Sequence, residues 1–471
     1  MVNACKAFNT YRFFSGKEKK DIIFKISKIL ENNKENLVAL AMKETFLPKE
    51  RLEGELSRTV FQLRSYAEAA ESGHHLGLRI DFSDNKAQDT RKMMIPIGPI
   101  AVFGSANFPF AYSTAGGDTA CALAAGCSVV VKAHPGHPLT GLAVANCIQE
   151  ALPANNKNIF QYISNTDNDV SEKLVKHPNT AAVAFTGSLA AGRLFYNWAA
   201  SRNVPIPVFA EMSSINPVFL LPNKLNADVN LLCNKLTDSL TQSAGQFCTN
   251  PGLIIGIDSP SLHEFVMEMT KRLDKMNGQA MLNAGILKNY QTASQKALNT
   301  DGVKQLTTKH PESNSDGFPI LATVKAKDFI KSPILMREVF GMYSLIIKAK
   351  DNEELLQLSS LLEGQLTCSI WATEADIKNN KDLINILREK CGRFIFNGVP
   401  TGVRVALSMQ HGGPYPATTD SRFTAVGADG ISRFCRPLCF QNWPDEFLPS
   451  ELQNNNPLNL YRIINNVGAV H

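Results

Sequence analysis

Cys248 stands in Gly245-Gln246-Phe247-Cys248-Thr249, between a stretch of helical spacing (Leu231 to Ser243) and an apolar run that reads as a strand. A thiol on a loop after a glycine can be reached by a substrate, whereas one on a packed helix face cannot. Near a helix dipole or a cationic group its pKa falls and the thiolate becomes a nucleophile. The competing reading is a small buried or merely exposed cysteine. Glu211 closes the apolar run Pro207 to Ala210. A carboxylate at that end of a strand can serve as a general base, or it can cap a helix or pair with a surface cation. Asn107 follows a buried run through Phe103-Gly104-Ser105-Ala106. Its amide could face developing negative charge as an oxyanion donor, or simply satisfy the turn.

A second group of residues suits a dinucleotide. Lys132 ends the run Ser128 to Val131, where its ammonium could reach ribose hydroxyls or a phosphate. Gly187 and Ser188, in Phe185-Thr186-Gly187-Ser188, open a helical stretch whose free N–H groups favour a phosphate. Glu338 and Phe340 would share one face of an extended segment, a carboxylate for ribose and a ring for nicotinamide, or else a strand edge with a buried Phe. No GxGxxG follows any strand, so a dinucleotide would bind in another manner.

The elements that must position these residues show in the periodicity. Ser15 to Glu18 forms a capping box ahead of Ile22, Ile23, Ile26, Ile29 and Leu30 at helical spacing, in a helix that Leu47-Pro48 breaks. A second helix carries Leu52, Leu56, Val60, Leu63 and Tyr66 and stops near Gly73. Residues 78 to 82 and 91 to 95 flank a polar turn and predict a projecting β-arm, which needs another subunit or domain to lean on. From residue 99 onward, short apolar runs alternate with helical stretches, the pattern of a parallel sheet covered on both faces. A second α/β unit begins near residue 212, with strands at Val218 to Leu220, Leu253 to Ile255, Leu345 to Ile347 and Phe394 to Phe396; residues 300 to 325 read as a polar surface loop.

Composition narrows the class. The 471 residues require more than one core, and 44% hydrophobic with 19% charged residues is ordinary for a globular chain. A net charge of +5 with no dense basic stripe argues against a nucleic-acid partner. No apolar stretch is long enough to span a membrane, and the first residues lack a signal-peptide pattern, so the expected compartment is the cytoplasm. The ten cysteines form no CxxC pair, and neither a metal site nor a disulfide framework is expected.

These segments occur together and in order, and the chain resembles the aldehyde dehydrogenase superfamily along nearly its whole length. The likeness is carried by PIGPIAVFGSANFPFAYSTAGGDTACALAAGCSVVVKAHPGHP, AVAFTGSLAAGR, PIPVFAEMSSINPV, GQFCTNPGL, REVFGMYSL and NGVPTGVRVALSMQHGGPYPATTDSRFTAVG. Within the superfamily it runs to the α-ketoglutaric semialdehyde (2,5-dioxopentanoate) dehydrogenase group. The resemblance implies an α/β fold of two doubly wound domains, cofactor-binding and catalytic, plus a β-arm for oligomerisation. It places cofactor binding in 1–77 and 97–211, the arm in 78–96, catalysis in 212–408, and a returning C-terminal segment in 409–471. It implies Cys248 as nucleophile, Glu211 as base for the deacylating water, and Asn107 with the Cys248 N–H as oxyanion hole. Lys132 and Glu338 are implied as ribose contacts, Gly187 and Ser188 as the pyrophosphate site, Phe340 beside the nicotinamide and His411 near the active site. The implied cofactor is NADP or NAD. Pro135 stands where NAD users commonly carry a glutamate, which favours NADP. The implied partners are a small aldehyde and further copies of the chain, as a homodimer or homotetramer. Relative to the superfamily the chain starts close to its first helix. Arg404 and Arg422 are candidates for meeting a distal carboxylate. The alternatives are a long-chain or broad-specificity aldehyde dehydrogenase, a thiol esterase, and a catalytically silent homologue.

Overall fold

The computed structural model describes residues 1–83, 88–309 and 316–469. Its first sheet is parallel and has the order Phe160–Ile163, Val129–Lys132, Ile100–Phe103, Ala182–Thr186, Val208–Glu211. Ile100–Phe103 and Val129–Lys132 are buried throughout, because alternate residues feed two different cores. Ile100, Val102, Val129 and Val131 pack among the helices on one face, and Ala101, Phe103 and Val130 pack with Phe195 and Leu174 on the other. The sheet grows outward in both directions from Ile100–Phe103. The ends of Ile100–Phe103 and Ala182–Thr186 therefore lie side by side at the switch point, where α/β sheets bind their ligands.

The second sheet has seven strands, ordered Lys304–Gln305, Ile320–Lys325, Tyr343–Ala349, Leu253–Ile257, Val218–Leu220, Gln365–Trp371, Cys391–Phe396. Three of these differ from expectation. Lys304–Gln305 is an edge strand within the stretch 300–325 read as a surface loop. Ile320–Lys325 is a strand inside the stretch read as a surface loop, of which residues 310–315 lie outside the described residues. Gln365–Trp371 is buried along its whole length, yet its Gln, Thr, Cys and Ser make it read as polar. Two of those polar side chains are satisfied internally: Gln365 Oε1 accepts from the Ile215 and Asn216 N–H groups at 2.8 and 3.1 Å, and Thr367 Oγ1 donates to Asn216 Oδ1 at 3.0 Å.

The N-terminal helices also differ. A helix Val2–Tyr11 precedes the capping box, anchored by Ala4, Phe8 and Tyr11. The capped helix ends at Asn32, and Asn33 (φ −95°, ψ 11°) separates it from a further helix Lys34–Thr45, so the first break comes well before Leu47-Pro48. Asn33 hydrogen-bonds the Ile29 carbonyl, the local competition that ends helices at asparagine. The helix Lys49–Ser72 stops at Gly73, which takes a left-handed φ of 67°.

The arm strands Arg79–Phe82 and Asp89–Pro96 pair antiparallel; residues 84–87 of the expected turn lie outside the described residues. The arm leans on its own chain. Cys435–Gln441 pairs with Asp89–Pro96, Arg462–Ile464 with Arg79–Phe82, and Val467–Ala469 with Arg462–Ile464, which makes a five-stranded sheet. Before reaching it, residues 409–434 cross the first sheet's carboxyl end. Met212 donates to the Ala417 carbonyl at 2.8 Å, Thr419 to that of Ala210 at 3.1 Å, and Arg433 pairs with Asp118 at 2.8 Å. No helix among the described residues is long and apolar enough to cross a membrane.

Candidate active site

Glu211 is the last residue of Val208–Glu211, and its side chain is buried. Cys248 follows the helix Pro222–Thr241 through a tight turn in which Ser243, Ala244 and Gly245 all have positive φ. Gly245 is required there, since a Cβ would fall 2.5 Å from the Gly341 backbone. The turn points Cys248 back at the end of the first sheet. His411, from the returning segment, completes the group: its Nε2 lies 3.7 Å from Cys248 Sγ and 3.1 Å from Glu211 Oε1. One ligand atom from each of the three lies within 4.8 Å of the other two. Neither Glu211 oxygen has a hydrogen bond of ordinary geometry, so the His411 contact acts as an electrostatic one.

Burial raises the Glu211 carboxyl, but His411 and the thiol beside it outweigh that, and the group falls below the usual carboxylate range. Burial pushes the Cys248 thiol well up, and the Glu211 charge pushes it further, with Arg393 in opposition. A protonated thiol therefore faces an ionised carboxylate. That arrangement is fitted to deliver a proton to Glu211 and to use the carboxylate as a base.

Asn107 lies beside this pair, its Nδ2 donating to the Gln246 carbonyl at 3.0 Å. The helix Lys49–Ser72 fixes its loop. Buried Glu55 accepts from the Phe110 and Ala111 N–H groups at 2.8 and 2.9 Å, and Arg51 donates to the Asn107 carbonyl at 2.8 Å. The side-chain amide is thereby held against the backbone that leads directly into the thiol.

A cleft of about 790 Å³ opens from Cys248 and Glu211 over the sheet's switch point, lined by Lys132, Gly187, Ser188, Glu338 and Phe340. Ser188 caps the helix Leu189–Ala200, its Oγ accepting from the Ala191 N–H at 3.3 Å. Gly187 has no room for a side chain, since a Cβ would meet the Phe185 ring at 2.6 Å. Lys132 is tied to the Thr166 carbonyl at 2.8 Å, with the rest of its ammonium along the cleft wall. Burial raises the Glu338 carboxyl to about 7 against the Ser213 hydroxyl, while the Glu211 charge adds to the rise. An ammonium, a desolvated carboxyl, an uncrowded helix start and an aromatic ring in one cleft fit a dinucleotide: hydroxyl partners, an anion site and a stacking face.

Every site residue expected from sequence thus lies at this cleft or at the thiol. The two surface candidates do not. Arg422 is exposed and forks onto Asp420, and Arg404 is exposed as well. Outside the cleft lining, Tyr112 and Arg393 act on the thiol electrostatically, and Arg58, Phe108 and Phe247 are grouped around Tyr112. Phe108 packs 5.1 Å from Tyr112 and 5.7 Å from Phe247, and Tyr112 lies 6.1 Å from the His411 ring (centroid to centroid). Sequence reading missed Arg58 and Arg393, although Arg58 sits between Leu56 and Val60 on a helix whose packing was legible.

Residues 1–435 match the aldehyde dehydrogenase family. The chain is 42% identical to the α-ketoglutaric semialdehyde dehydrogenase of Acinetobacter baylyi, over 98% of this chain and 90% of that one. It is 40% identical to α-ketoglutaric semialdehyde dehydrogenase 2 of Azospirillum brasilense, over 91% and 83%. Among solved structures, methylmalonate-semialdehyde dehydrogenase of Oceanimonas doudoroffii superposes with a TM-score of 0.79 at 18% identity, covering 94% of this chain and 89% of the other. A point mutant of 1-pyrroline-5-carboxylate dehydrogenase from Thermus thermophilus gives 0.80 at 19%, covering 93% and 84%. At such identities these two structures speak for the fold alone.

The electrostatics at the thiol can be checked by alkylation. Iodoacetamide should label Cys248 at a rate still climbing above about pH 9, the ordinary range for a thiol, since burial and Glu211 keep this one protonated. Glu211→Gln removes the negative neighbour, so its rate profile should shift to lower pH. Peptide-resolved mass spectrometry that finds the profile unmoved, or moved upward, would contradict this picture.

Proposed function

Because the chain belongs to the aldehyde dehydrogenase family and is an NAD(P)-dependent oxidoreductase acting on aldehydes, we propose that it works through a thioester on Cys248 and that its substrate is 2,5-dioxopentanoate. The observation that carries the mechanism is the partly exposed Cys248 held against buried His411 and Glu211 at the mouth of a dinucleotide-sized cleft. The substrate rests on relatives 42% and 40% identical over nearly the whole chain that bear that activity in their names.

In this mechanism the thiol gives its proton to Glu211, which passes it to solvent before deacylation, and the sulfur adds to the aldehyde carbon, forming the S–C bond as the carbonyl π pair moves onto oxygen. The Asn107 amide and the Cys248 N–H hold the oxygen that becomes negative; one such donor is worth about two to three orders of magnitude in rate. Bound NAD(P) supplies the acceptor for the hydrogen and electron pair that leave this carbon. Cys248 then holds the acyl group as a thioester. Glu211, ionised by its surroundings, takes a proton from water, the water oxygen attacks the acyl carbon, and the S–C bond breaks to free the acid and the thiol. His411 positions the Glu211 carboxylate and steadies its charge.

Lys132 and Glu338 would meet ribose hydroxyls, Gly187 and Ser188 the pyrophosphate, and Phe340 the nicotinamide face. We assign residues 1–77 and 97–211 to cofactor binding, 212–408 to catalysis, and the arm 78–96 with the returning segment 409–471 to assembly. Exposed Trp443, Phe447, Tyr461 and Val467 on that segment support a homo-oligomer built there. The ten free cysteines support a cytoplasmic setting. NADP is the favoured cofactor: Pro135 leaves the segment after Lys132 without a carboxylate to repel a 2′-phosphate. Neighbouring His134, lowered to about 3 by burial and then by His137 and Lys132, is neutral there.

Cys248→Ala should abolish NAD(P)H formation, and wild-type turnover in that variant would sink the thioester mechanism. Glu211→Gln should still give a first burst of about one NAD(P)H per site in stopped flow. Its steady-state rate should fall by roughly 10²–10⁴, the range for a lost general base. For the cofactor, Pro135→Glu should weaken NADP binding about tenfold relative to NAD in fluorescence titrations, as one added like charge near the surface would. An unchanged ratio would overturn the NADP preference.

A further inference from the structure

Two guanidinium groups, Arg393 within electrostatic reach of the thiol and Arg58 behind Tyr112, have no carboxylate in an ion pair with them among the described residues. Arg58 donates to the Tyr112 hydroxyl at 3.2 Å and to the Val403 carbonyl at 3.4 Å, with its Cζ 5.2 Å from the Tyr112 ring centroid. Its other terminal nitrogen is buried without a partner among the described residues. Arg393 donates to the Gly402 carbonyl at 2.7 Å and to that of Pro400, and its Nε is likewise buried and unpartnered. The two cations thus hang on neighbouring carbonyls of one loop, 400–403. Neither is ion-paired among the described residues, whereas Arg51, on the same helix as Arg58, is matched by Glu55 at 2.5 Å.

Burying a guanidinium without a counter-charge is costly, and backbone carbonyls repay only part of it. Structures keep such groups where an anion arrives. The location narrows which anion. Arg58, Arg393 and Tyr112 do not line the dinucleotide cleft, so cofactor phosphates do not account for them. Tyr112 instead links them to the reaction centre, through His411 at 6.1 Å and from there to the sulfur at 3.7 Å. The Tyr112 hydroxyl accepts from Arg58, and burial holds its proton on, so that proton is free for an incoming acceptor. A planar carboxylate suits this set, since a guanidinium presents parallel N–H groups to both of its oxygens.

We propose that Arg58 and Arg393, with the Tyr112 hydroxyl, form the subsite for a carboxylate at the far end of the aldehyde. The enzyme is then selective for ω-oxo acids over neutral aldehydes of the same length. This rests on Cys248 being the nucleophile and deepens the choice of an anionic substrate. It replaces Arg404 and Arg422, the two candidates from sequence, with two partly buried arginines that the fold brings together on one loop.

The test compares kcat/KM for 5-oxopentanoate and pentanal, five-carbon aldehydes that differ in the distal carboxylate. Wild-type enzyme should prefer the acid, and Arg58→Met should cut the acid-to-pentanal ratio about 100-fold, the scale of one lost charge-assisted hydrogen-bond pair. The loss should appear mainly in KM, with Arg58→Lys recovering part of it and exposed Arg404→Ala leaving the ratio unchanged. In a second arm, calorimetric titration with glutarate should show binding to the wild type that weakens about as much in Arg58→Met. A wild-type ratio near one, or a variant that loses both activities equally and binds glutarate as before, overturns the subsite. A wild type that forms no NAD(P)H from either aldehyde contradicts the reaction instead, and the glutarate titration still decides the subsite.

Discussion

The buried amide of Asn216 ties the nucleophile's loop to the second sheet, and the geometry at the thiol depends on it. Its Nδ2 donates to the carbonyls of Cys248 and Asn250, each at 2.9 Å, while its Oδ1 accepts from Thr367 Oγ1 at 3.0 Å. The Asn216 backbone hangs on Gln365 Oε1, which also holds Ile215. Asn216 follows Glu211 closely in the chain, so one short segment carries both the base and the clamp on the nucleophile. Every polar atom in this network sits in low dielectric, where an orphaned group costs about 1–3 kcal/mol. The same satisfaction that stabilises the seam therefore fixes where the sulfur faces the carboxylate.

That placement gives Glu211 two effects on one thiol. Its charge holds the Cys248 proton on, and its ionised state leaves its oxygens open to accept one. His411 touches both and keeps the carboxylate ionised despite burial. The resting thiol is thereby protected, and its reactivity depends on a proton that already has somewhere to go. A half-exposed cysteine with no such neighbours would titrate freely and react with whatever reached it.

Much of this was legible in the sequence because α/β sheets put their chemistry at strand ends. Glu211, Lys132 and Ser188 each follow a continuous apolar run, and Asn107 follows one through a glycine turn. What escaped did so for local reasons. Gln365–Trp371 is a core strand whose polar side chains serve Asn216 and Ser214, so its apolar signal is diluted. The split between Asn32 and Lys34 is one residue's side chain competing with the helix. His411 lies on irregular backbone without periodicity, and only its likeness to a known family drew attention to it. Arg58 lies on a helix whose apolar face was clear, but no pattern says which polar neighbour points inward. The arm was visible as two alternating runs, whereas its partner strands lie near the far end of the chain, a pairing that spacing does not encode.

The central claim is that the oxidised substrate passes through a covalent bond to one sulfur among ten thiols. Enzyme mixed with 2,5-dioxopentanoate and NADP, quenched in acid within milliseconds and digested, should yield a peptide containing Cys248 that carries the acyl mass, and no other modified cysteine. NAD(P)H forming while the Cys248 peptide stays unmodified at every quench time, or the acyl mass appearing on a different cysteine, would contradict the account.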